Sequence, residues 1–366
     1  MRSLQGAIIA GIFWMQAFAA CSAPAEEVID VGVRGDARPF VWYDGNSMQY
    51  LGFFWDICSE AVRRAGYQIH ADLLDIRKRT EFLKTGKGEF DLLCDPTTLT
   101  IERLRNFTDV KNGGKASDLS FSPIIFIANS SFVEPGRGAT RKRGGGTISA
   151  TIGSNCKDIM SQQTAARSKP GDDGKSDAGA TSHWYDLPTI TMMPDEPKPN
   201  ETVVRYEIWG YVAGTNIGDI LQRWWDASGK ERQVCLRDPP LSSHKDAATE
   251  FCEGRLARYF GDIDIVKAAI ADYQSQTGRE CAADVSNSNG SYEPYAFVLS
   301  SKHFGNFPER FTLALYGMFQ DGTMERLFEG HFPGSRKSQY LDVLFAINSI
   351  PAGFGESKQT FYSGGK

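Results

Sequence analysis

"FDLLCDPTTLTIER", residues 90–103, decides how the rest of the chain is read. The apolar run at 90–94 has strand length and is bounded by turn-forming residues, so it predicts a buried strand. Beyond it come Asp95, Pro96 and threonines at 97, 98 and 100, then a short helical stretch that carries Arg103. In an open α/β sheet, ligands bind in the crevice outside the carboxyl ends of the strands. Hydroxyls and a guanidinium fork at that place are donors for an anionic group.

The flanking segments supply the α/β sheet this argument needs. "VIDVGV" (28–33) predicts a buried strand, and "GFFWDICSEAVRRAG" (52–66) a helix with Phe54, Ile57, Cys58, Ala61, Val62 and Ala65 on one face and Gly66 at its C-terminal end. "YQIHADLL" (67–74) alternates as a strand, and "RTEFLKTG" (79–86) predicts a short helix before the 90–94 strand. Strand, helix, strand, helix, strand implies parallel pairing in an α/β layer. Order returns at "VVRYEIWGYVAGTN" (203–216), a strand ending in a glycine turn. A helix over "IGDILQRWWDAS" (217–228) follows, then helix, strand and helix over 246–273; "EPYAFVLSS" (293–301) predicts a strand, and two helices break at Asp321-Gly322. Between the two α/β blocks, residues 134–202 are rich in glycine, proline and mixed charge and predict long loops, with "TISATIG" (147–153) and "LPTITMM" (187–193) as candidate short strands.

Composition narrows the function classes. The chain has 366 residues, 41% of them hydrophobic, enough for two ordinary domains. A net charge of −5 and a pI near 5.7 argue against a nucleic-acid binder. The N-terminus, "MRSLQGAIIAGIFWMQAFAACSAPAEE", has an early Arg2, an apolar stretch and small residues, the pattern of a secretory signal peptide over 1–25. Cleavage after Ala19 or Ala25 fits, and Cys21 raises a lipid-anchored alternative. Six further cysteines, an even number in an exported chain, predict disulfides. No CxxC or HxxxH spacing is present, so neither a zinc site nor any other cofactor is expected.

Two further loops follow predicted strands as the 95–103 segment does. "AGTN" (213–216) follows "EIWGYV", and "GDID" (261–264) follows "RLARYF". Arg103 is suited to a carboxylate and Asp262 to an ammonium group, the two ends of an α-amino acid, with Thr98 and Thr215 as neutral donors.

At this point the chain resembles the family-3 solute-binding proteins, the periplasmic receptors of amino-acid uptake systems. The resemblance rests on six segments in order: residues 31–66, 79–103, 210–216, 244–264, 292–300 and 315–332. It implies a two-lobe clamshell of the type II periplasmic-binding-protein class with two hinge crossovers. One lobe would comprise 26–131 and 292–346, and the other 132–291 with the Gly/Pro-rich insertion near 134–202. Residues 347–366 would form a C-terminal tail. By motif position, Thr98, Arg103, Thr215 and Asp262 become contacts to the amino-acid backbone. Arg34, Arg79 and His244 match the glutamate- and aspartate-binding members, so three cations beside Arg103 would favour an acidic ligand. Pro96 departs from that group, which has a hydroxyl residue there. With the cysteines assigned to lobes, Cys58 is expected to pair with Cys94, and Cys156–Cys235 with Cys252–Cys281 is chosen among three second-lobe pairings.

The expected function is an exported, monomeric, non-catalytic receptor that hands its ligand to a membrane ABC permease. The alternatives are a periplasmic dehydratase of cyclohexadienyl or arogenate type on the same clamshell, with Asp262 or Glu293 as its acid, and a sensor module.

Overall fold

The computed structural model describes residues 27–86, 89–108, 118–136, 146–151, 153–165, 203–229, 232–286 and 291–351. The expected signal peptide with Cys21, most of the 134–202 stretch including 187–193, and residues 352–366 lie outside the described residues.

The first block runs β1 (Glu27–Val33), β2 (Asp36–Ala37), β3 (Val41–Asp44), β4 (Gln49–Leu51), α1 (Phe53–Ala65), β5 (Tyr67–Leu73), α2 (Ile76–Thr85), β6 (Leu92–Thr98), α3 (Ile101–Thr108), β7 (Leu119–Phe121) and β8 (Phe126–Pro135). The second holds β9 (Thr147–Thr151), α4 (Cys156–Ala165), β10 (Val203–Gly210), α5 (Asn216–Trp224), β11 (Val234–Leu236), α6 (His244–Cys252), β12 (Arg258–Asp262), α7 (Ile263–Thr277) and β13 (Ala283–Val285). The chain returns along β14 (Ser291–Ser300) to α8 (Phe307–Gln320), α9 (Thr323–His331) and α10 (Gln339–Asn348).

The expected periodicities produce these elements. The apolar face of α1 is buried from Phe53 to Ala65, and Gly66 closes the helix at φ 85°, a left-handed conformation that glycine adopts without a Cβ penalty. Among the described residues one eleven-stranded sheet follows the order β11-β10-β12-β8-β14-β6-β1-β5, with β7, β9 and β13 pairing at its margins, and β2-β3-β4 form a separate small sheet. β1 pairs in parallel with β5 and β6, and β10 in parallel with β11 and β12.

Two strands join the halves. β8 pairs with β14 through Phe126–Ser130 and with β12 through Ser130–Val133. β14 then pairs with β6 from Tyr295 onward. Each half has its own apolar core: one built on Val31, Phe53, Phe54, Leu92, Phe297 and Phe311, the other on Ile208, Cys235, Phe251, Tyr259 and Val266. Helices cover both faces of each half, so parallel strands such as β6 are buried along their whole length. This is the two-block α/β clamshell architecture expected from the sequence.

Among the described residues the cysteines stand in three pairs: Cys58–Cys94, Cys156–Cys235 and Cys252–Cys281, with Cα separations of 6.0, 5.4 and 5.2 Å. The first ties α1 to β6, the second α4 to β11, and the third the end of α6 to the segment after α7.

Two features differ from the sequence reading. The strand placed at 90–94 runs on to Thr98, so the DPTT segment lies inside β6. The reason is a register shift: Thr97 faces Ala296 and Leu93 faces Val298, so residues 94–96 bulge from the ladder. A bulge accommodates Pro96, which has no N–H to give, and re-aims Asp95. The second feature is α10, a further helix that the sequence reading did not place, which lies inside the expected lobe segment 292–346 and ends just past its limit.

Candidate functional site

The bulge in β6 governs the first part of the site. α2 begins at Asp75, whose carboxylate accepts from the Lys78 nitrogen at 2.8 Å, and it buries Arg79, Phe82 and Leu83 on one face. Arg79 forms a buried ion pair with Asp95 through Nε. Its Nη2 donates to Thr97 Oγ1 at 3.1 Å, and its Nη1 to the Gly214 carbonyl of the second block at 3.0 Å. The Thr97 hydroxyl in turn donates to Asp95. Burial alone would raise the Asp95 carboxyl, but the adjacent Arg79 guanidinium and the Thr97 hydroxyl hold it below its ordinary value. Gly214, at φ 69°, packs against α2, where an added Cβ would lie 3.3 Å from Thr80 Oγ1.

Arg103 lies on α3, whose first turn is fixed by Thr100 Oγ1 accepting from the Arg103 nitrogen at 3.2 Å. Its Nη1 donates to the Thr98 carbonyl at 2.6 Å. Burial, then the nearby Arg79 charge, lowers its pKa to about 10, so it stays a cation. The Thr98 hydroxyl donates to Glu293 at 2.6 Å, and Glu293 also accepts from Ser130 and, at 3.5 Å, from Asn216 of α5. Thr215 donates its hydroxyl to the Val212 carbonyl at 2.6 Å.

Asp262 ends β12 and caps α7, accepting from the Asp264 and Ile265 nitrogens at 2.8 and 3.2 Å. Its other oxygen accepts from the Tyr295 hydroxyl at 2.9 Å. Burial, then the charge of Asp264, raises its pKa. Tyr295 stands opposite Thr98 in the β6–β14 ladder, so a single strand pair links the Arg103 side of the site to Asp262.

Arg34 follows β1 and donates from Nε to Asp36 at 2.6 Å. Its Nη2 is buried with no hydrogen-bond partner. The second oxygen of Asp36 accepts from the His244 backbone nitrogen at 2.9 Å. The His244 ring is buried, with Nδ1 2.6 Å from the Tyr259 hydroxyl. Burial, then the Arg34 charge, pushes its pKa down to about 3, so the ring is neutral.

These contacts correct the expected cation count. Arg34 and Arg79 are both buried, but each is matched by an aspartate, Asp36 and Asp95, that the sequence reading did not weigh. His244 contributes no charge. Both aspartates were in view, in "RGD" and "CDP", but spacing alone did not show that they face the arginines. Glu293, considered only as an acid, joins hydroxyl and amide donors from both blocks. Among the described residues, no group of three or more histidine, cysteine, aspartate or glutamate side chains could hold a metal, and no helix is long and apolar enough to cross a membrane.

The sequence pattern of the bacterial extracellular solute-binding proteins, family 3, matches residues 29–334. No curated protein matches the chain. Among solved structures, it is similar to an ancestral arginine-binding protein bound to arginine (18% identity, TM-score 0.52, 84% of this chain and 99% of that one). It is also similar to the substrate-binding protein of an amino acid ABC transporter (14%, 0.51, 83% and 99%). A third is an ancestral amino acid-binding protein described as a precursor of cyclohexadienyl dehydratase (17%, 0.50, 83% and 95%). At such identities these likenesses speak for the fold alone. The pattern match spans most of the sequence and ends before α10, and by it the chain belongs to the bacterial extracellular solute-binding proteins of family 3.

Proposed function

We propose that this protein is an exported receptor that captures an L-amino acid between its two blocks and delivers it to a membrane ABC permease. The observation that carries the reading is the link from Arg103 to Asp262. Arg103 holds the Thr98 carbonyl, Thr98 faces Tyr295, and Tyr295 holds Asp262. A cation and a carboxylate at the ends of β6 and β12 suit the two charged ends of one amino acid, with Thr98 and Thr215 beside them. In this reading the lobes divide near residues 131 and 292 and close about β8 and β14, and the chain is a periplasmic monomer.

The preference for glutamate or aspartate loses its ground. It depended on three unmatched cations, whereas Arg34 and Arg79 are paired and His244 is neutral. A thermal-shift screen over the twenty amino acids tests the receptor reading. A ligand at a thousand times its Kd stabilises by about 4 kcal/mol, and no shift with any amino acid would refute it.

One observation favours a second reading, a dehydratase. Glu293 is a buried carboxyl, placed beside Thr98, with no arginine or lysine in hydrogen-bond contact among the described residues. Release of an aromatic product from prephenate or arogenate, lost in Glu293→Gln, would establish it.

A further inference from the structure

We infer that Asp95 makes this cleft refuse acidic side chains and favour an amino acid whose side chain ends in a neutral acceptor, a carboxamide or hydroxyl oxygen. The inference rests on the amino-acid-receptor reading and names the ligand class for that site.

The two arginines that invited an acidic ligand are built differently. Every guanidinium nitrogen of Arg79 is occupied, by Asp95, the Gly214 carbonyl and Thr97. Its side-on fork, Nε with Nη2, is taken by Asp95 and Thr97. Arg34 gives Nε to Asp36 but keeps Nη2 buried and unpartnered. A buried donor left unmade is costly, so a bound acceptor would satisfy it. Arg34 is therefore the one of the pair able to read a ligand side chain.

Charge decides which acceptor it takes. Asp36 lies in contact with Arg34, and the Asp95 charge also acts on it. Asp95 is fully buried, its carboxylate held by Arg79 and Thr97. A carboxylate brought to Arg34 would be a third anion among two cations already matched by two anions, in a poorly screened setting. A carboxamide or hydroxyl oxygen makes the same hydrogen bond without that repulsion. Refusal by a built-in like charge is an efficient source of specificity between near-isosteric ligands such as glutamine and glutamate. Asp95 stands where it does because the bulge at residues 94–96 turns it out of the β6 ladder beside Pro96.

The test is calorimetry on the full chain at neutral pH with glutamine, asparagine, serine, glutamate and aspartate, after the twenty-amino-acid screen. At least one neutral ligand should bind roughly ten-fold or more tighter than either acidic one. Asp95→Asn, which keeps an oxygen acceptor beside Arg79 but removes the anion, should narrow that ratio by roughly ten-fold. Glutamate or aspartate binding as tightly as the neutral set in the unsubstituted protein would overturn the inference. So would an unchanged ratio in folded Asp95→Asn, or binding confined to apolar or basic amino acids, and both would leave the receptor reading standing. Binding of no amino acid at all would remove that reading and the inference with it. If Asp95→Asn does not fold, the selectivity of the unsubstituted protein decides the matter.

Discussion

Asp36 on β2 accepts a hydrogen bond from the backbone nitrogen of His244, the first residue of α6, at 2.9 Å and across 208 residues of sequence. Ser243 already caps α6 through the Asp246 nitrogen, so Asp36 is a second anionic cap, supplied by the opposite block. The same carboxylate neutralises Arg34. One side chain thus joins a cleft cation, a helix terminus and the contact between blocks. Arg38 with Asp272 and Arg79 with the Gly214 carbonyl span the same boundary at 2.7 and 3.0 Å.

Asp36→Ala should therefore cost more than an ordinary surface change. It leaves Arg34 buried beside no carboxylate and removes one acceptor from α6. A loss of about 3 kcal/mol in urea unfolding is expected, with weaker ligand binding and a larger radius of gyration by X-ray scattering. Arg38→Ala is the control: its partner pair is largely exposed, so a change under about 1 kcal/mol is expected. Equal effects of the two would mean that Asp36 is not a joint.

His244 makes stability depend on pH in a defined direction. Its folded value, about 3, lies below the ordinary 6.5 because the ring is buried beside Arg34. Above 6.5 both states are neutral there. As pH falls below it, the unfolded chain takes up a proton that the folded chain refuses, and stability drops towards pH 3. Between about pH 6 and pH 4 the His244 contribution should be a loss of about 2 kcal/mol, read as the difference between the unsubstituted protein and His244→Gln. Asp36, also depressed, acts in the same direction only below its ordinary 3.8. His70, exposed and raised by Asp30, and Asp262, raised by burial and Asp264, act in the opposite direction. Urea titrations at four pH values read the slope.

The regular part of this architecture was legible because local patterns and burial agree. The apolar face of α1, its glycine stop and the β1, β5 and β6 strands follow directly from spacing. The strand-end rule also singled out Arg103 and Asp262, which lie just past the end of β6 and at the end of β12. What spacing could not supply was partnership. Asp95 meets Arg79 only because β6 bulges, and a bulge needs β14, about two hundred residues later, to define it. Asp36 meets α6 only across the boundary between blocks. Counting cations along the sequence therefore overstated the positive charge of the cleft. α10 was hidden for a different reason: Leu341 and Phe345 pack on the first core, while Tyr340, Val343 and Ile347 are exposed, so its apolar residues mark no single face.

The Cys58–Cys94 bridge should matter for both stability and the site. It closes a separation of 36 residues, worth about 4 kcal/mol in the chain-entropy model. Cys94 directly precedes Asp95, so the bridge also fixes where the bulge begins. The double variant Cys58→Ala, Cys94→Ala should lose about 4 kcal/mol in urea unfolding and bind ligand more weakly. A variant of unchanged stability would mean that the packing of α1 on β6 suffices without the bond.

Binding itself gives the last prediction. Arg103→Ala removes the fork proposed to hold the α-carboxylate, leaving a buried ligand charge without a partner, so affinity should fall by roughly a hundred-fold or more. Arg103→Lys, which keeps charge but not the fork, should fall between. Asp262 adds a proton signature. Burial and Asp264 raise its pKa above the ordinary 3.8, so on the acid side of that raised value the unliganded protein holds a proton there. A bound ammonium favours the carboxylate, so binding must release that proton. Affinity should then rise with pH and level off once Asp262 is ionised in the free protein. Calorimetry in two buffers of different ionisation heat should show proton release at mildly acidic pH. Asp262→Asn, which retains an acceptor to cap α7, should abolish the release and weaken binding. Normal affinity in Arg103→Ala, or unchanged proton release in Asp262→Asn, would place the ligand elsewhere.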